Sequence, residues 1–62
     1  MSSPKSTIIE GYYRQAIDSG DNAFVIPLDL HINESDVYAW SFRRHIKISD
    51  LNAYGDGLRV DL

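Results

Sequence analysis

The sequence predicts a small, mainly β domain, an antiparallel meander or an SH3-like partial barrel. Three stretches carry the prediction. Residues 23–32, AFVIPLDLHI, set Phe24, Ile26, Leu28, Leu30 and Ile32 at alternate positions, the period of a half-buried strand. Residues 36–48, DVYAWSFRRHIKI, keep that period over Tyr38, Trp40, Phe42, Ile46 and Ile48. Residues 58–62, LRVDL, close the chain with Leu58, Val60 and Leu62 in the same alternation. The alternative is an α+β domain, with an N-terminal helix at 5–18 packed on a three-stranded sheet.

Taken in order, residues 1–6 are rich in Ser and Pro and read as a flexible tail, leaving 7–62 as a single small domain. The next stretch is divided. Ile8, Ile9, Tyr12, Tyr13, Ala16 and Ile17 fall two-on, two-off, as on an amphipathic helix. Thr7 and Glu10 have capping-box spacing, and Gly20 stands where a helix would end. Three isoleucines, two tyrosines and a threonine favour a strand, and Gly11 costs a helix interior about 1 kcal/mol. Composition tips 7–18 toward a strand with a bulge near Gly11, turning through the hairpin-like DSGDN at 18–22. In the 23–32 strand Pro27 donates no N–H, so the strand belongs at a sheet edge or carries a bulge there. INESD, 32–36, is a polar connection, and SDLNAYGDG, 49–57, has the polar and glycine content of a loop.

With 62 residues and no cysteine, the chain is one domain at most and has neither a disulfide nor a thiolate metal site. A chain of this length buries only about 60% of the surface its unfolded form exposes, so a partner subunit is a natural source of further stability. No signal-peptide pattern or bilayer-length apolar run is present, and the expected location is cytoplasmic. The formal charge is −3. One basic stretch, with Arg43, Arg44 and Lys47 against Asp36, lies between two acidic ones. Such segregation suits an acidic partner or another copy of the chain.

Catalysis is not expected: the chain has no cysteine nucleophile, no phosphate-binding glycine loop and no GxSxG elbow. No cofactor and no metal are expected either. As a strand, 36–48 would turn Tyr38, Trp40 and Phe42 to one face and Arg43, His45 and Lys47 to the other. Stacking on bases needs rings and cations on one exposed face. As a helix, the same stretch would gather an aromatic and basic patch instead. The period-two fit favours the strand.

Three short resemblances accompany these patterns. YYRQAIDSGDNA, 12–23, resembles the second helix of a tetratricopeptide repeat, although no first helix pattern precedes it. Val25-Ile26-Pro27 with Asp36-Val37 is similar to the swapped-hairpin DNA-binding domains of the AbrB and MazE type, which implies an intertwined DNA-binding dimer. The basic residues those domains carry near the first hairpin are here Asp18 and Asp21. Residues 50–61 resemble an EF-hand calcium loop at Asp50, Asn52, Gly55 and Asp61, but Tyr54 replaces a ligand and Gly57 an apolar residue.

The expected function is a small non-enzymatic protein-binding module. It would be a homo-oligomer, or an inhibitor that blocks a host protein, as a viral or mobile-element accessory protein does. Its partner-binding residues are expected to be Tyr12, Tyr13, Trp40, Arg43, Arg44, His45 and Lys47, the residue types that anchor interfaces. The alternative is a dimeric nucleic-acid-binding transcriptional regulator using the basic cluster at 43–47.

Overall fold

The structure, a computed structural model, describes residues 4–62. It opens on helix α1, Pro4–Asp18. Proline at the first helical position lacks only an N–H that the helix would leave unpaired anyway. The two-on, two-off pattern becomes one buried stripe: Ile9 and Ala16 are buried, with Ile8, Tyr12 and Tyr13 packed beside them. Burial of that stripe outweighs the strand-favouring composition, and the expected strand over 7–18 is a helix. Gly11 faces open space. Gly20, at φ 76°, ends α1 in a Schellman turn, its N–H donating to the Ile17 carbonyl and that of Asp21 to the Ala16 carbonyl. Residues 4–6 of the expected tail are the first turn of α1, and residues 1–3 lie outside the described residues.

Strand β1 covers Ala23–Pro27, shorter than the 23–32 strand expected. A 3₁₀ turn at Leu28–Leu30 follows, ended by His31 in the left-handed region at φ 56°. Ile32 then tucks into the core.

Helix α2, Glu34–Arg44, replaces the strand expected over 36–48. Its start lies in the polar connection INESD. Asn33 Oδ1 accepts from the Asp36 N–H at 3.0 Å, and Asp36 Oδ2 accepts from the Asn33 N–H at 3.1 Å. This reciprocal box satisfies two of the donors that a helix start leaves bare. Arg43 and Arg44 fill the last turn, favourably placed against the negative end of the helix dipole. His45, at φ 54°, stands in the left-handed position usually held by glycine.

Strands β2, Asp50–Tyr54, and β3, Gly57–Asp61, form a hairpin. The expected loop at 49–57 is therefore mostly strand. Residues 50–61 form a ladder pairing Asp50 with Asp61 and Tyr54 with Gly57, not a calcium-type loop. The sheet order is β1-β3-β2, antiparallel throughout. The fold is thus α+β, correcting the mainly β expectation and matching its alternative. All three strands pair within one chain, unlike a swapped hairpin.

One sheet face carries Phe24, Ile26, Leu51, Leu58 and Val60 against Ile9, Ala16, Val37 and Trp40 of the helices. The other face is open and carries Val25, Tyr54 and Arg59. The Leu28 N–H donates to the Asp56 carbonyl and the Leu62 N–H to the Asn22 carbonyl, continuing the β1–β3 pairing at its two ends. Both outer strands manage their free edges. By alternation, odd-numbered residues of β1 face its free edge, where Pro27 has no N–H to expose. On β2, the Leu51 N–H is taken by Asp50 Oδ1 at 2.9 Å, which blunts that edge.

Candidate functional site

Helix α2 presents two faces to different surroundings. Its inner face carries Val37, Trp40 and Ser41, all buried. Trp40 is 2% exposed and meets Tyr13 at 5.3 Å and Phe24 at 6.2 Å between ring centroids, both edge-on. Its indole N–H donates to Glu10 Oε1 at 3.0 Å. Arg44, one turn on, donates through Nε to the same oxygen at 2.7 Å and through Nη2 to Oε2 at 3.1 Å. Arg14 completes the group with a 3.2 Å bond to Oε2. Glu10 therefore accepts four hydrogen bonds. Chiefly through Arg44, these hold its carboxyl at about 2, against an ordinary 4.5, despite partial burial that acts the other way. Lys5 Nζ bridges to Asp36 at 3.3 Å farther up the same seam. The contacts advance together, from Lys5 with Asp36 to Glu10 with Trp40 and Arg44, so the helices run in the same direction.

The outer face of α2 is Ser35, Tyr38, Ala39 and Phe42, spaced i, i+3, i+4 and i+7, and all four are exposed. Phe42 is 83% and Tyr38 51% exposed. Glu34 and Arg43 flank the stripe at its two ends, both exposed and neither in an ion pair among the described residues. His45 and Lys47, also exposed, continue beyond Arg43.

The expected partner-binding residues separate between these two faces. Trp40 is core. Tyr13 meets it edge-on, and Tyr12 is half-buried against the same core. Arg44 is engaged by Glu10. Arg43, His45 and Lys47 remain at the surface, clustered around the end of α2. Phe42, Tyr38 and Glu34 were absent from the expected set. Their signal was the helical spacing in SDVYAWSFRR, which shows only once that stretch is read as a helix.

The open sheet face has a different character. Arg59 lies 5.9 Å from the Tyr54 ring centroid and is bridged to Asp61 at 3.2 Å. With Asp50 opposite Asp61, its carboxylates disfavour phosphate. Between the helices, a recess of about 270 Å³ is lined by Ser6, Thr7, Glu10, Trp40, Arg43 and Arg44. That is below the usual range of ligand pockets, roughly 300–1,000 Å³, and the Glu10 oxygens there are already bonded. A larger depression, about 510 Å³, runs along α1 past Gly11 and is open to solvent. Among the described residues, no three His, Asp or Glu side chains are gathered to hold a metal ion, and no helix is long and apolar enough to cross a membrane.

No protein-family model matches the chain, and neither does any curated protein or solved structure.

Proposed function

We propose that this chain is a non-enzymatic protein-binding module that acts by occupying a partner's surface through the outer face of α2. The observation that carries this reading is Phe42, 83% exposed at the last position of the stripe with Tyr38 one turn before it. A large ring left in water is the residue type that gains most from burial in an interface. Arg43 beside it adds a planar charge of the kind enriched at interface cores. The segregated charge supports a partner surface that is apolar with an acidic rim.

A second reading has one observation in its favour. The helix brings Phe42 together with Arg43, His45 and Lys47, the juxtaposition that binding single-stranded nucleic acid uses. Against it, only Arg43 and Lys47 are permanent cations there, Arg44 is engaged by Glu10, and the chain is net negative. Two phosphate contacts give weak, steeply salt-dependent binding.

A photo-crosslinking residue at position 42, compared with one at position 59 on the open sheet face, tests the proposal. Polypeptide adducts from position 42 and few from 59 are expected. Nucleic-acid adducts from 42, or polypeptide adducts from 59 alone, would overturn it.

A further inference from the structure

We infer that the occupant of the α2 outer face is an acidic segment of another polypeptide, seated at the C-terminal end of the helix with an apolar side chain on Phe42 and carboxylates on Arg43 and Lys47. The inference rests on the protein-binding reading and names the chemistry of the partner.

The division between paired and unpaired cations points to this end of the helix. The chain has six Lys and Arg side chains. Four are engaged within it: Lys5 by Asp36, Arg14 and Arg44 by Glu10, and Arg59 by Asp61. Arg43 and Lys47 form no ion pair among the described residues. Both are exposed. Both also lie close in sequence to Phe42, the most exposed large apolar side chain among the described residues.

The backbone here is held in place. The Ile46 N–H donates to the Ser41 carbonyl at 2.9 Å and the His45 N–H to the Phe42 carbonyl at 3.3 Å, a Schellman turn that fixes how the chain leaves the helix. Ile46 and Ile48, on either side of Lys47, pack against the core. Lys47 therefore stands on an anchored segment beside the last turn of α2. A ring with two cations next to it is matched by an apolar group flanked by carboxylates.

Two further features narrow the occupant. Glu34 lies nine residues before Arg43 and so on the opposite side of the helix. It would repel an acidic segment laid along the whole of α2, which confines that segment to the C-terminal end. Two cations are also too few for a nucleic acid, whose affinity is built from many phosphates, but they suffice for one or two carboxylates. The negative end of the helix dipole opposes an anion here, so binding should depend steeply on both cations.

The test is titration of the isotope-labelled full chain with the copolymer poly(Glu,Tyr), followed by amide chemical shifts. Amides of residues 38–47 should move, and those of 50–61 should not. Poly(Glu), which lacks an apolar group for Phe42, should bind more weakly, and poly(Lys,Tyr) should not bind. Phe42→Ala and Arg43→Ala should each weaken binding roughly tenfold, and Lys47→Ala roughly threefold. Arg59→Ala removes the same charge from the open sheet face and should change affinity by less than about twofold. All four positions are exposed, and a thermal melt followed by circular dichroism checks that every variant is folded. Equal weakening by Arg43→Ala and Arg59→Ala would mean attraction by bulk charge alone and overturns the site. So does the absence of any shift at about 1 mM poly(Glu,Tyr). Tighter binding of a single-stranded oligothymidylate than of poly(Glu,Tyr) at physiological ionic strength overturns it in favour of nucleic acid. Polypeptide adducts from position 42 with no response to poly(Glu,Tyr) would leave the docking face standing and remove the acidic occupant. Adducts from position 59 alone would remove both.

Discussion

Arg43 and Arg44 are neighbours in sequence with opposite circumstances. Arg44 faces α1 and closes on Glu10 with two hydrogen bonds. Arg43, turned by one helical residue, faces solvent beside Phe42 and forms no ion pair among the described residues. The same division separates Trp40 from Phe42. What sets the fate of an aromatic or a cation here is its angle around α2, with 100° per residue deciding between core and surface. The inner face is already satisfied in every respect. The outer face has unspent apolar area and unpaired charge.

Substitutions sharpen this contrast in order of size. Trp40→Ala removes the ring at the centre of the aromatic cluster and should cost about 3–5 kcal/mol. That approaches the whole stability of a 62-residue domain, roughly 3–9 kcal/mol, so urea titration should find the variant largely unfolded. Glu10→Gln keeps an acceptor for Trp40 but loses the charge that Arg44 and Arg14 share, and should cost roughly 1–2 kcal/mol at neutral pH, allowing for solvent screening. The pH dependence has a definite sign. The folded carboxyl is depressed, so its contribution is full above the unfolded value of about 4.5 and is lost as pH falls toward about 2. Melting temperatures of Glu10→Gln and wild type should therefore converge as the pH drops through that window. His45→Gly relieves a left-handed residue and should stabilise by about 0.5–1 kcal/mol, read as a higher melting temperature. Phe42→Ala should change monomer stability by less than about 0.5 kcal/mol, while abolishing adduct formation from a crosslinker placed at Tyr38. A large destabilisation by Phe42→Ala would mean that the two faces are not distinct.

Part of this was legible in the sequence. Pro27 called for an edge strand or a bulge and β1 lies at the edge, the last strand was read within one residue of its ends, and Gly20 was the helix stop in the helical alternative for 7–18. The helix at 34–44 was hidden because its two faces obscure each other. Ser41 and Arg44 lie on the inner side, and Tyr38 and Phe42 on the outer, so the apolar residues do not make one clean stripe. Tyr38, Trp40 and Phe42 then imitate a strand at period two. The better signal was local: Asn33 and Asp36 at capping-box spacing, with two arginines in the last turn. For α1 the helical stripe was visible, but β-favouring side chains outweighed it until tertiary burial is counted. The proposed docking surface could not be read before the helix was known, because a strand would have turned Phe42 and Arg43 to opposite sides.

The order β1-β3-β2 has a consequence for how the chain acquires its structure. The strand at the centre of the sheet follows both of its neighbours in sequence. The β2–β3 hairpin can close locally, but β1 waits for a strand about 30 residues away, as Pro27 and Gly57 pair across that interval. Residues 4–44 contain two helices and one strand with nothing to pair against. A chain cut in the segment between α2 and β2 thus yields two pieces, neither of which holds the complete sheet. The sheet is complete only when β1 lies beside the hairpin, so cutting the chain there is expected to cost both pieces their stability.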